Sequence, residues 1–312
     1  MNKILLATTA LVATAGFASA EVALSGSAEM GLISGDRYGV NSNVQFHNDI
    51  DVRFTLSGET ESGLTFGATI DLDETGGLGV GSGNTGNKSA VFISGGFGTL
   101  TLGDTDGALD WAMQETGVGS SIADDHTSHV GYNGNSGLDG DHGGQVLRYD
   151  NTFGDFGVAA SVQINDQPTA ADDVFGLGLK YNAALGGLDL GLGLGYQDNG
   201  TNGIVGLSVD TTFANGLRAI LNYSDLDGQA ATDNDKHIGL GLAYVSGDLT
   251  VSANYGEYET VAGVKTDGYG LAVNYGLGGG ASVQFGYASD LIKTGVNPLG
   301  GSSWSLGLAM SF

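Results

Sequence analysis

Val44-Gln45-Phe46-His47-Asn48-Asp49-Ile50-Asp51-Val52-Arg53-Phe54-Thr55-Leu56-Ser57 is the stretch that decides the fold. Six of its seven even positions are apolar and all seven odd positions are polar. Side chains of a strand point alternately to opposite faces, so a period of two predicts a strand with one apolar and one polar face. The pattern returns at Leu64, Phe66, Ala68, Ile70 and Leu72, at Leu188, Leu190, Leu192, Leu194 and Tyr196, and at Trp304, Leu306, Leu308, Met310 and Phe312. Sixteen such segments can be placed, over 22–33, 43–57, 64–73, 88–95, 98–104, 145–152, 157–165, 173–182, 188–197, 203–212, 217–225, 236–245, 249–257, 266–275, 281–289 and 302–312.

The composition agrees with a strand-built chain. Of 312 residues 57 are Gly, more than twice the usual share of about 7 %, and Gly destabilises helix interiors by about 1 kcal/mol relative to Ala. Two Pro and no G-X-Y period exclude collagen. An apolar content of 41 % is too high for a disordered acidic tail. The formal charge of −25 disfavours nucleic-acid binding, which needs a basic surface. Without Cys there is no disulfide, thiolate metal site or thiol nucleophile.

Residues 1–20 read as a secretory signal peptide: Lys3 is the charged start, Ile4 to Phe17 the apolar part, and Ala18-Ser19-Ala20 the small-residue cleavage site. The apolar part is shorter than the about 20 residues of a spanning helix. The exported chain is then expected to begin at Glu21 and to form one domain over 21–312. A closed barrel satisfies every backbone hydrogen bond inside lipid, and its alternating strands escape a hydropathy average.

The connections support that barrel. Short turns at 58–63, 95–98, 152–157, 182–187, 213–216, 246–248 and 276–280 alternate with longer polar loops at 34–42, 74–87, 104–144, 166–172, 198–202, 226–235, 258–265 and 290–301. Short turns at one end and long loops at the other predict an all-β, sixteen-stranded antiparallel transmembrane barrel with both termini at the short-turn end. Tyr196, Tyr223, Tyr255 and Tyr287 then fall near one rim, and Tyr181, Tyr244, Tyr275 and Phe312 near the other, as two aromatic girdles. A barrel this wide encloses water, so its inner face is polar. Glu29, Asp49, Asp51, Arg53, Asp71, Lys180, Asp189, Asp210 and Arg218 fall on that face.

Three stretches carry a family resemblance. Glu21-Val-Ala-Leu-Ser-Gly-Ser-Ala-Glu-Met-Gly31 resembles the first strand of the general-diffusion porins of alphaproteobacteria, the Rhodobacter type. So do the run from Phe54 to Gly67, and Val91 to Gly98 followed by Leu102-Gly-Asp104; the chain also ends in Phe312, as such barrels do. The resemblance implies a homotrimer in the outer membrane of a Gram-negative bacterium. Each subunit would hold a water-filled pore with its third loop folded into the lumen as a constriction. The partners implied are outer-membrane lipid and lipopolysaccharide, and small hydrophilic solutes.

The connection that would carry function is 104–144. A structureless connection of more than about 15 residues is usually functional or disordered. At about 3.3 Å per residue its contour, on the order of 130 Å, is enough to cross a pore and return. It carries Asp104, Asp106, Asp110, Glu115, Asp124, Asp125, Asp139 and Asp141 and no Lys or Arg. Inward-phased Arg53, Arg148, Lys180 and Arg218, with Arg37 in the first loop, are the candidate basic wall opposite this acidic segment. Acidic patches in a pore favour cations. Asp104, Asp106 and Asp110 lie within seven residues, and calcium, which takes several oxygen ligands in flexible geometry, is their candidate cation. No other cofactor is required.

No motif points to catalysis. His126, His129 and His142 accompany Asp124 and Asp125, but no HExxH helix or G-x-S-x-G elbow occurs. Tandem G-G-x-G-x-D repeats of a calcium-binding β-roll are also missing. The reading is a passive diffusion channel, mildly cation-selective and not an enzyme. A substrate-specific channel and a non-conducting structural or adhesin barrel are the alternatives.

Overall fold

An alternating strand can turn its apolar face to lipid only if the sheet has no open edge, since unpaired backbone groups are costly in hydrocarbon. The computed structural model describes residues 21–36, 43–75, 88–140, 145–165, 172–290 and 301–312. Among them sixteen strands close into one antiparallel barrel. They are β1 (Glu21–Gly35), β2 (Gln45–Glu59), β3 (Thr65–Thr75), β4 (Lys88–Gly95), β5 (Gly98–Gly103), β6 (Val146–Phe153), β7 (Phe156–Gln163) and β8 (Val174–Ala184). There follow β9 (Leu188–Asp198), β10 (Gly203–Phe213), β11 (Leu217–Asp225), β12 (Asn234–Ser246), β13 (Leu249–Thr260), β14 (Lys265–Gly278), β15 (Ala281–Asp290) and β16 (Ser302–Ser311). Each strand pairs with its neighbours in sequence. The seam joins β1 to β16, from Ser27 opposite Ser311 to Gly35 opposite Ser303. Phe312 exchanges backbone hydrogen bonds with Gly26 at the end of that seam.

The sixteen predicted segments and the seven short turns match this architecture, with strand ends moved by a few residues. The signal peptide at 1–20, Arg37, Asp141 and His142 lie outside the described residues. Apolar residues of one phase are exposed all around the barrel, among them Phe46, Val91, Leu194, Leu242 and Phe285. Tyr196, Tyr223, Tyr244, Tyr275 and Phe312 stand exposed on that apolar face, whereas Tyr181 packs on Phe156 and Tyr287 on Tyr269.

The opposite phase differs from the expected wet wall. It carries Val146, Val174, Ile204, Ile220 and Ala243 among its buried residues, together with buried Gln163, Gln197, Asn222 and Asn254. A segment of the chain covers them.

Candidate functional site

The segment after β5 lies along the polar face, and glycine makes that possible. Residues 108–112 form a single helical turn, α1 (Ala108–Ala112), in which Ala108, Leu109 and Ala112 are buried. Beneath it β8 and β9 present Gly178, Gly193 and Gly195, where a methyl group would run into Ala108, Ala112 or Leu109, and Gly176, where it would run into Ser161 Oγ, the group that accepts from Ala108 N–H. The same holds further round. Gly241 faces Thr116, Gly268 faces His129, Gly270 faces His126 and Gly286 faces Ser121. Leu109 and Met113 pack with Ile204, and Val118 with Ile220 and Ala243, so among the described residues these buried apolar clusters form the contact between segment and wall.

Backbone groups of an irregular segment need partners once water is displaced. The wall supplies polar side chains for them, most of them neutral. Ser161 Oγ accepts from Ala108 N–H at 2.9 Å and Ser208 Oγ from Gln114 N–H at 2.9 Å. Asn222 Nδ2 donates to Gln114 O at 2.9 Å and to Asn135 Oδ1 at 2.8 Å. Ser252 donates to Val118 O, and Asn274 to Ser120 O. Asn254 Nδ2 donates to His126 O at 2.9 Å, and its Oδ1 meets His129 Nε2 at 2.5 Å. Glu29 Oε2 on β1 accepts from Ala123 N–H at 2.8 Å, and Asp290 Oδ1 on β15 from Val130 N–H at 2.8 Å. The segment is thus fastened to strands from β7 round through β16 to β1.

The acids of the segment divide by environment. Asp104, Asp106 and Asp124 are exposed, whereas Asp125 is buried and accepts from Ser303 Oγ at 2.6 Å. Burial, reinforced by Asp106, Glu115 and Asp139 and opposed by Arg148, pushes the Asp110 carboxyl up to about 7. Burial also raises Glu115, against the hydrogen bond it accepts from Tyr132. Asp139 is raised by burial too, but Gly107 N–H at 2.6 Å and Gln197 Nε2 at 2.6 Å hold its charge.

The basic residues do not form one wall facing the acids. Arg148 Nη1 donates to Asp106 O at 2.7 Å and its Nε to Asp150 at 3.1 Å. Lys180 Nζ lies 4.0 Å from the ring centre of Trp111 on α1. These two touch the segment. Arg53 instead pairs with Asp71, and Arg218 with Asp210 at 2.7 Å, each on the neighbouring strand. Four of the five named bases lie among the described residues, and three of those, Arg53, Arg148 and Arg218, are matched by a wall carboxylate.

Among the described residues no group of three or more His, Asp or Glu side chains is arranged to hold a metal ion. Asp104, Asp106 and Asp110 share sequence, not a cage: the first follows β5, the second binds Arg148 through its carbonyl, and the third sits on α1. The residues that sequence reasoning missed are the neutral ones, Ser161, Gln197, Ser208, Asn222, Ser252, Asn254 and Asn274. Their signal was present, as Gly alternating with Ser, Asn or Gln in the polar phase of β8 to β15.

A family profile described as Gram-negative porin matches residues 7–294. A protein described as porin from Rhodobacter capsulatus is 30 % identical over 303 residues, covering 86 % of this chain and 94 % of its own. Outer membrane protein U of Vibrio cholerae serotype O1 is 28 % identical over 173 residues, 52 % of this chain and 44 % of that one. Among solved structures, a porin refined at 1.8 Å superposes with a TM-score of 0.68 at 23 % identity, over 94 % of this chain and 100 % of that one. A multiply substituted Rh. blastica porin gives a TM-score of 0.68 at 20 % identity, over 93 % and 100 %.

Proposed function

The chain belongs to the Gram-negative porin family and is an outer-membrane porin, and from that premise we propose that it passes small hydrophilic solutes and ions by passive diffusion through a lumen narrowed by residues 104–144, with a mild preference for cations. The observation that supports this reading is the fastening of the described part of that segment to the polar phase of the wall from β7 to β1. Selection follows from diameter and field. The segment brings acids and no base into the lumen, and Arg53 and Arg218 are offset by Asp71 and Asp210. The net field there is negative and raises the local cation concentration. We also propose that the exported chain begins at Glu21 and assembles as a homotrimer in contact with lipid and lipopolysaccharide.

Planar-bilayer recording tests the channel. A salt gradient is expected to give a cation-preferring reversal potential that shrinks as the Debye length falls from about 10 Å at 0.1 M to about 3 Å at 1 M. Anion preference overturns the selectivity. Absence of conductance overturns the channel in favour of a structural barrel. Saturable block by one solute favours a substrate-specific channel.

A further inference from the structure

Three histidines meet where the segment crosses β12 to β15, and the hydrogen bonds around them suit their neutral forms. His237 on β12 donates through Nε2 to Gly131 O at 3.0 Å, since a carbonyl can only accept. Its Nδ1 faces the Asn133 Nδ2 donor at 3.4 Å. That amide is not free to turn, because Asn133 Oδ1 accepts from Asn135 N–H at 2.9 Å. A proton on His237 Nδ1 would therefore point at a donor. His129 Nε2 donates to Asn254 Oδ1, whose orientation is fixed by the bond from Asn254 Nδ2 to His126 O. His129 Nδ1 is buried against Gly268 with no hydrogen-bond partner among the described residues, so a proton added there gains no acceptor. Ser121 Oγ accepts from His126 N–H at 3.0 Å and lies 2.9 Å from His126 Nδ1, to which its own proton can donate when the ring is neutral.

We propose that His126, His129 and His237 form a proton-operated latch: as neutral imidazoles they fasten residues 121–133 to β12–β15, and protonation unfastens that stretch and changes the conductance. The second half rests on the reading that the segment narrows the lumen. All three rings are buried. Burial lowers His126 to about 4, with His129 as a second cause, and lowers His129 below the ordinary value against the Asn254 bond and the charge of Asp290. The charged or titratable groups around the cluster are Asp125 and Tyr132 on the segment, Tyr258 on β13, 4.5 Å from the His237 ring, and Asp290 on β15. Among the described residues Asp290 is the carboxylate that favours charging His129, and its oxygens are shared with Val130 N–H and Gly301 N–H.

The sign follows from linkage. The released stretch binds protons near pH 6.5 and the latched one only lower, so acid favours release and the window opens below about 6.5. For His126 alone, a fall from 6.5 to about 4 shifts the latched-to-released ratio about a hundredfold by pH 4.

Two measurements on the assembled protein in detergent or bilayer test this. Nitrogen-15 NMR of the imidazoles, five per chain, is expected to find these three neutral and Nε2-protonated at pH 6, titrating together well below 6.5. Independent titration of each near 6.5 overturns the latch and needs no variant. The second is the ratio of single-channel conductance at pH 4.5 to that at pH 7.5, expected to differ from one by about twofold in the native chain. In the triple variant His126→Asn, His129→Gln, His237→Gln, which keeps neutral bonding groups and cannot charge at these positions, the ratio is expected to move most of the way toward one, the remainder coming from the titration of Asp110. An unchanged ratio in a variant that still migrates as a folded barrel overturns the latch as the cause. Linked titration with a native ratio of one overturns instead the constriction reading on which the conductance arm rests.

Discussion

Arg53 on β2 and Asp71 on β3 form a two-pronged pair, Nε to Oδ1 and Nη2 to Oδ2, both at 2.6 Å. The guanidinium remains more than half exposed to the enclosed water, so the pair contributes only about 0–1 kcal/mol to stability. Its effect is on charge. A base that would have opposed the acidic segment is neutralised by its own neighbour across a hairpin.

Removing either partner should therefore move selectivity in opposite directions while leaving the barrel folded. Arg53→Ala is expected to raise the cation-to-anion permeability ratio by about 1.5- to 2-fold, and Asp71→Asn to lower it by a similar factor. Reversal potentials in a tenfold salt gradient read both. Equal shifts of the same sign would refute the pairing as a charge balance.

Asp110 supplies a pH dependence in the neutral range. Its folded value of about 7 means the carboxyl is about one-tenth ionised at pH 6 and about nine-tenths at pH 8. Cation preference should rise over that interval, and Asp110→Asn should flatten the rise. The raised value also means that the neutral carboxyl stabilises the docked segment below about pH 4, and this contribution is lost as pH climbs through 7. Protection of the 108–115 amides from hydrogen exchange, corrected for the intrinsic rate, is expected to fall from pH 6 to pH 8.

Gly131 and Gly256 sit backbone against backbone, and a methyl on Gly131 would run into the Gly256 carbonyl. Gly131→Ala should lift the segment from β13 at a cost of about 1–3 kcal/mol of docking energy. The barrel's own ladders are untouched. The expected result is a larger or noisier conductance with unchanged heat-modifiable migration. Gly134→Ala, where a methyl meets open space, is the control and should behave as the native chain.

Processing and assembly give a fourth test. Outer-membrane preparations should yield a chain whose mass begins at Glu21 and whose unboiled form migrates more slowly than the boiled one. A mass that includes Met1, or a monomer in mild detergent, contradicts the expectation.

The sequence by itself determined the strands, their number and their connections, because the pleat is a local rule: Val44 to Ser57 needs no knowledge of the rest of the chain to sort its two faces. The Arg53–Asp71 and Arg218–Asp210 pairs were nearly legible too, since a short turn sets the register of a hairpin, which puts Arg53 directly opposite Asp71 and Arg218 diagonal to Asp210. What tertiary structure alone decided is the meeting of His126 with Asn254, Gln114 with Asn222 and Ser120 with Asn274, residues 128, 108 and 154 positions apart. Nothing local sets those contacts. They exist because the barrel closes, and because a segment too apolar at Leu109, Met113 and Ile122 to stay in water meets a wall where glycine leaves room for its backbone and Ser, Asn and Gln supply its hydrogen bonds.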